Sequence, residues 1–256
     1  GTTLAPQSWL NWQLLGNLYS ENNRLEDAIK AYERALASPN AMVASIEYNY
    51  AIALERHGDY SNSLEHIRVA GKTDIPELRL LSTKLEARLL TALGKFDEAE
   101  TFIRQAIKLA EQTDDIEALA SLLSSHAFIT LKGKDDKVAA KKLAIRAFAL
   151  SRKCAEALWT IREIDKIVSQ NAKYFRLLVN GSTVLKKDGI SEECGFFTNY
   201  FVVADSEREA LKLVKAIERK DLTANLAIDE SEVLSENTDL HKGVYDATGL
   251  CYFQDE

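Results

Sequence analysis

The fold is decided by one stretch, WQLLGNLY at residues 12–19, and by a few small or aromatic residues that come after it. The residues that define this pattern all serve packing: Trp12, Leu15, Gly16, Tyr19, Ala28, Tyr32, Ala35 and Pro39. The first four recur at helical spacing, and Gly16 provides the small position needed where two helix backbones cross closely. The stretch therefore predicts a helix–turn–helix hairpin of about 34 residues.

The hairpin recurs along the chain. Its turn falls at Asn23, Gly58, Gly94 and Gly133, at intervals of 35, 36 and 39 residues. Glycine suits this turn because the first helix ends there in a left-handed residue. His126 takes the small position of the fourth hairpin. After it, residues 155–169 predict one more amphipathic helix, which would cap the array or join it to the C-terminal part of the chain.

The first hairpin resembles a complete tetratricopeptide repeat. The resemblance is strong for residues 8–41, good for 44–113 and looser for 117–151. It implies a solenoid whose first helices line a concave groove that holds a peptide or a protein segment. The resemblance thus predicts a non-catalytic interaction scaffold or adaptor.

The repeat register places six candidate peptide-binding residues in that groove: Gln13, Asn17, Tyr48, Asn49, Lys84 and Arg88. Family members that hold peptide C-termini use a clamp of lysines, asparagines and an arginine for two carboxylates. Only the two asparagine positions of that clamp match this chain, so a receptor for such C-termini is disfavoured. The two asparagine amides are still expected to hold an extended backbone, with Lys84 and Arg88 as an anchor for an anionic group. A solvated polar face without a ligand is the alternative.

The pattern changes after residue 170. Strand-like runs cover 173–179, which the Asn180-Gly181 turn signal ends, and 195–204. A helix comes next, beginning at the capping box Ser206-x-x-Glu209, and weaker strands are expected at 225–234 and 249–253. The chain is thus predicted to be α+β overall. A repeat array over 1–170, with about four helical pairs and a capping helix, precedes a small ββαββ-like domain over 171–256.

The predicted strands are apolar on both faces, which is typical of strands buried on both. The second face should therefore pack on the last repeat helix, on a second copy in a homodimer, or on a partner. Stacked aromatic residues on a sheet can also hold single-stranded RNA: Phe196, Phe197, Tyr200 and Phe201 are the candidates. Residues 171–256 carry 10 basic and 16 acidic side chains, however, and this charge disfavours nucleic acid. An alternative function arises from the same charge, in which the acidic domain regulates or inhibits a basic partner.

The sequence carries no catalytic signature. Phosphate loops, GxGxxG, HExxH and GxSxG are absent, so we expect neither an enzyme nor a cofactor or metal site. Cys194 and His241 are the one pair that could meet as nucleophile and base. Three cysteines without CxxC spacing favour the reducing cytoplasm, and no apolar run is long enough for a membrane span. Gly1 is interpreted as a tag remnant, and the chain as a fragment of something longer.

Overall fold

The computed structural model describes residues 8–113, 115–187, 190–236 and 238–253. Its helices are α1 (Trp9–Glu21), α2 (Leu25–Leu36), α3 (Val43–Arg56), α4 (Tyr60–Ala70), α5 (Pro76–Ala92), α6 (Phe96–Ala110), α7 (Ile116–Lys134), α8 (Lys137–Leu150), α9 (Ala155–Asp165), α10 (Glu207–Ile217) and α11 (Lys220–Thr223). Its strands are β1 (Lys173–Lys187), β2 (Ile190–Ala204), β3 (Ala227–Ser235), β4 (Gly243–Ala247) and β5 (Cys251–Phe253). Helical repeats in about the first 170 residues precede an antiparallel sheet, which confirms the predicted α+β class.

The chain divides within α6 into two compact units, residues 1–106 and 107–256. The second unit contains the last repeat helices as well as the sheet. The change from helix to strand falls close to residue 170, at the start of β1. The division into domains at that residue stays a prediction.

The first unit is built of helical hairpins whose turns were predicted correctly. Asn23, Gly58 and Gly94 have φ angles of 57°, 79° and 73°, in the left-handed region that ends each first helix. Small and aromatic side chains fill the core between the hairpins: Ala28, Tyr32, Ala35, Ile46, Tyr50, Ala53 and Leu54. The small and aromatic pattern of residues 12–39 is thus the pattern of this core.

Gly16 shows why one position of the hairpin has to be small. A Cβ atom added there would lie 2.7 Å from a ring carbon of Tyr32, well inside van der Waals contact. The ring cannot withdraw easily, because it is buried, stacks on Tyr50 at 5.2 Å between centroids, and donates its hydroxyl hydrogen to Asn17. Glycine therefore sets the distance between α1 and α2.

The helices of the second unit follow the same plan with one correction. The fourth turn lies at Asp135, with φ of 49°, and not at Gly133, which still belongs to α7. Asp136 then caps α8 by accepting the amide hydrogen of Ala139 at 2.9 Å. Two consecutive aspartates, one tolerant of the left-handed region and one a cap, replace the glycine turn.

The sheet is antiparallel with the order β3-β1-β2-β4, and β5 also pairs with β2. The predicted turn at Asn180-Gly181 is wrong, because β1 continues to Lys187 and pairs with β2 along its whole length. Gly181 serves a close approach instead: an added Cβ would lie 2.7 Å from the ring of Phe196 on β2. Asn180 donates from its side chain to Asp229 on β3 at 3.3 Å.

The last part of the sheet was predicted incompletely. The weak strand candidates correspond to β3 and β5, whereas β4 was missed. The capping box before α10 is confirmed: Ser206 accepts from the amide of Glu209, and the Glu209 carboxylate accepts from that of Asp205.

The two central strands β1 and β2 have one buried face and one partly exposed face, whereas β3 is exposed along most of its length. Side chains of β1 and β2 that share the buried face are Phe175, Leu177, Val179, Phe196, Tyr200 and Val202. Helices α10 and α11 pack against the sheet, and α9 contacts β4. The other face carries half-buried aromatic residues, among them Phe197 and Phe201. The four aromatics considered for RNA stacking therefore lie on opposite faces, with Phe196 and Tyr200 in the core.

Candidate functional site

The candidate groove residues lie on α1, α3 and α5, the first helices of three successive hairpins, which contact one another in that order. Two polar contacts fix which sides face each other. Gln13 on α1 donates to the hydroxyl of Ser45 on α3 at 3.2 Å. Arg88 on α5 donates to both carboxylate oxygens of Glu55 on α3, each at 2.6 Å. The three helices thus present neighbouring rows of side chains on the first unit.

Each candidate asparagine uses one half of its amide within the protein. The Asn17 side-chain oxygen accepts the hydroxyl hydrogen of Tyr32 at 2.8 Å, which fixes the amide plane and leaves its NH₂ group directed elsewhere. The Asn49 NH₂ group donates to the carbonyl of Ser45 one turn earlier at 2.9 Å. Both side chains are half-buried. One amide thus offers donors and the other an acceptor, which is what an extended backbone requires.

Gln13 contributes in a different way from the asparagines. Its side chain is only 7% exposed, and its oxygen has no hydrogen-bond partner among the described residues. Its NH₂ group holds α1 to α3 through Ser45. Gln13 therefore positions the two helices on which the asparagines lie.

A charged cluster surrounds Tyr48. Burial raises the pKa of the Tyr48 hydroxyl, the positive charge of Arg88 lowers it, and the negative charge of Glu55 raises it again. Arg88 is about half exposed at 53%, whereas Glu55 is 19% exposed. Lys84 lies one turn before Arg88 on α5 and is half-buried. The phenol, the carboxylate and the guanidinium therefore form one local environment in which Arg88 is already neutralised.

Exposed leucines accompany these polar groups. Leu10 and Leu14, one turn apart on α1, are 47% and 55% exposed, and Leu81 on α5 is 45% exposed. Leu14 occupies the sixth place of its helix, a place that the repeat register also assigns to the groove. Exposed apolar side chains beside fixed polar groups are typical of surfaces that bind peptides.

Residues 11–40 and 85–113 match the family model described as Tetratricopeptide repeat. These two segments are tetratricopeptide repeats. The first match covers most of the first hairpin, the second covers the end of α5 with α6, and the family model does not extend to the sheet. Tetratricopeptide repeats in general form protein–protein interaction scaffolds, and the family is typically non-catalytic.

The structure separates the one catalytic pair that the sequence offered. Cys194 lies nine residues before Val203 on β2, and Val203 pairs with Gly243 at the start of β4. Nine residues of strand span about 30 Å, whereas His241 lies two residues from Gly243. The thiol and the imidazole therefore do not meet within one chain.

The described part of the chain offers neither a metal site nor a membrane span. No three histidine, cysteine or carboxylate side chains converge there as a metal site would require. None of the described helices combines the length and the apolar character needed to cross a bilayer. None of the three cysteines forms a disulfide: Cys154 is half-buried, Cys194 buried and Cys251 exposed.

Proposed function

We propose that the chain is a non-catalytic adaptor that binds an extended segment of a partner protein across α1, α3 and α5. The observation that carries the proposal is the arrangement of half-satisfied amides, exposed leucines and an exposed guanidinium on three adjoining first helices. Asn17 and Asn49 would hold the backbone of the segment, and Leu10, Leu14 and Leu81 would receive its apolar side chains.

Arg88 would anchor an acidic group of the segment, with Lys84 adding positive charge. Arg88 is engaged by Glu55 in the free protein, so an incoming carboxylate has to share or displace Glu55. Because Glu55 is only 19% exposed, its carboxylate stays near Tyr48 when an incoming carboxylate takes over Arg88. Such an exchange favours acidic partners over neutral ones.

The test is a quantitative affinity capture from an extract of the source cells with wild type and two double variants. Lys84→Glu/Arg88→Glu reverses two charges of the groove. Lys72→Glu/Lys95→Glu makes the same charge change at exposed positions of the same unit outside the first helices. A groove-bound partner is expected to fall by roughly tenfold or more in the first variant only. Equal recovery of the partner with both variants would show that it does not bind across α1, α3 and α5.

A second function is favoured by one observation, the acidic edge of the sheet. In the order of the described strands, β3 has β1 as its single neighbour, and its acidic side chains are exposed: Asp229, Glu230 and Glu232. Unpaired strand edges can accept a further strand. In this second candidate function the chain would regulate a basic partner through β3, and the repeats would position the sheet.

Glu230→Lys separates the two functions with the sheet intact. Glu232 is paired with Arg176, and Asp229 with Asn180, so Glu230 is the side chain whose reversal disturbs least. A basic partner at β3 is expected to dissociate from this variant while Lys84→Glu/Arg88→Glu retains it. The opposite result would assign binding to the first helices.

A further inference from the structure

A shallow groove of about 390 Å³ lies on the second unit, between α8 and α9, and has no counterpart in the function proposed for the first unit. Its lining consists of apolar and basic side chains only: Lys137, Val138, Lys141, Lys142, Ile145 and Ile164. The five residues from α8 recur at helical spacing and form its outer face, since its inner face is the buried row Ala140, Ala144, Ala147 and Phe148.

The floor of this groove is open to solvent. Val138 is 83% exposed, the largest exposure among the chain's exposed large apolar residues in the part that the structure describes. Ile145 and Ile164 continue the floor and are half-buried. The lysine side chains add their aliphatic stems to this surface and keep their ammonium groups at the rim.

The rim is positively charged and only partly neutralised. Lys141 donates to both oxygens of Asp165 on α9, each at 2.7 Å, which shows that a carboxylate can lie at this rim. Lys137 and Lys142 are exposed, and among the described residues neither forms an ion pair. Two free ammonium groups therefore flank an apolar floor.

We propose that this α8/α9 groove is a second docking site, and that its occupant is an acidic amphipathic segment of a partner protein. The carboxylates of such a segment would pair with Lys137 and Lys142, and its apolar side chains would cover Val138, Ile145 and Ile164. Charge complementarity carries the choice: the groove offers positive charge at its rim and no acidic side chain in its lining.

The probe is a fluorescein-labelled peptide of Glu-Glu-Leu repeats, titrated into the full chain and followed by fluorescence anisotropy. Lys137→Glu/Lys142→Glu is expected to weaken binding roughly tenfold or more, and Val138→Ser by a smaller factor. Folding is not at risk in the first variant, because a glutamate at the first position of α8 is favourable to the helix. Lys212→Glu/Lys215→Glu, on the exposed side of α10, is the matched control and should bind as wild type.

Two comparisons test whether the peptide needs apolar side chains and which surface of the protein binds it. A peptide of Glu-Glu-Ser repeats should bind far more weakly, since it lacks the apolar side chains. Equal binding of this peptide would overturn the proposal in favour of charge alone. The same titrations are repeated in the Lys84→Glu/Arg88→Glu background, where the surface on α1, α3 and α5 no longer attracts acidic segments. The Glu-Glu-Leu peptide should still bind this background and be released by the added Lys137→Glu/Lys142→Glu, whereas its loss from the background itself would assign the peptide to α1, α3 and α5 instead.

Sedimentation velocity decides whether the occupant is a second copy. The acidic β3 strand also carries exposed Val233 and Leu234, so it has the chemistry that the groove would accept. The proposal expects wild type and Lys137→Glu/Lys142→Glu to sediment alike. A wild-type oligomer that both this variant and Glu230→Lys dissociate would contradict it and identify a second copy of the chain as the occupant.

Discussion

The two units of this protein differ in the interactions that stabilise each of them internally. In the first, the pair of Arg88 and Glu55 reaches the surface through Arg88, which is 53% exposed, and the core contains alanines, aliphatic side chains and tyrosine rings. In the second, one buried ion pair joins several elements: the side chains of Arg152 and Glu218 are only 15% and 2% exposed. Exposed ion pairs contribute little to stability. Removing one partner of a buried pair is strongly destabilising, because it leaves the other charge buried without compensation.

Arg152 connects the end of α8 to the sheet. Its guanidinium donates to Glu218 at 2.5 Å, to the carbonyl of Thr248 at 2.7 Å and to the hydroxyl of Thr198 at 3.2 Å. It also lies over the ring of Tyr200, 4.9 Å from the centroid. Burial raises the pKa of Tyr200, and the negative charge of Glu218 raises it further. Each donor of Arg152 therefore stabilises a different element of the second unit.

Among the variants that distinguish the two units, Arg152→Met is expected to lose the most stability. The change leaves Glu218 buried without its cation and should cost about 3–5 kcal/mol of unfolding free energy. Hydrogen exchange read by mass spectrometry should show the loss in residues 107–256 and wild-type protection in 1–106. Adding Glu218→Gln should restore part of the stability. An Arg152→Met protein as stable as wild type would show that the pair does not join α8 to the sheet.

A smaller loss is expected from Gly16→Ala in the first unit. The added methyl group would overlap the held ring of Tyr32, and overpacking of this kind costs about 1–3 kcal/mol. Gly71→Ala is the control, because its Cβ would meet Ile67 O at 3.4 Å and Ser82 Cβ at 3.6 Å, which are ordinary contacts. In urea unfolding, the free energy of unfolding should be lower for Gly16→Ala than for Gly71→Ala. The reverse order would mean that α1 and α2 can separate freely.

Lys242→Met should destabilise the second unit by less than Arg152→Met. The Lys242 ammonium, 8% exposed, donates to Asp205 at 2.7 Å and to Glu209 at 2.9 Å. Burial opposes the charge of Lys242, but these hydrogen bonds outweigh it and raise its pKa. The hydrogen bond from Lys242, followed by one from Ser169, lowers the pKa of Asp205.

These two directions fix the pH dependence of that contribution. A raised lysine pKa stabilises the fold fully below the ordinary lysine value of about 10.4, and the contribution is lost as pH rises through the folded pKa. A lowered Asp205 pKa stabilises above about 3.9, and the contribution is lost as pH falls through the folded pKa. The stability difference between wild type and Lys242→Met should therefore be flat near neutral pH and shrink at both extremes. A difference that grows at either extreme would be incompatible with this pairing.

The smallest effect on stability is expected from Glu55→Gln, at most about 1 kcal/mol, because the Arg88 end of the pair is exposed to water. Whereas Glu55→Gln should lower stability slightly, it should raise the affinity for an acidic partner, and by more. Releasing Arg88 from Glu55 should strengthen the capture of an acidic partner severalfold. The measurement is the same affinity capture that is used for Lys84→Glu/Arg88→Glu. Weaker capture by Glu55→Gln would indicate that Glu55, and not Arg88, contacts the partner.

The same difference between the units explains what could be predicted from the sequence. Gly16, Asn23 and Tyr32 contact residues of their own hairpin or of the next one, so the repeat period alone revealed the turns and the core of the first unit. Arg152 and Glu218 lie 66 positions apart and form no local pattern. Gly181 was interpreted as a turn because nothing nearby in the sequence shows that Phe196 lies against it.

The candidate site was predictable in part for the same reason. The repeat register gave positions for Asn17, Asn49 and Arg88, but it could not show that Gln13 is buried or that Glu55 already occupies Arg88. The α8/α9 groove needed the structure, since Ile164 reaches Val138 only once α9 is folded against α8.

Whether a partner lies along the first helices can be tested by site-specific photo-crosslinking from two tyrosine positions of the same unit. A benzophenone amino acid replaces either Tyr48 on α3 or Tyr60 on the second helix α4, where the side chain is 37% exposed. A partner is expected to crosslink through position 48 and not through position 60, and Lys84→Glu/Arg88→Glu should abolish the crosslink. Crosslinking through position 60 alone would contradict this expectation.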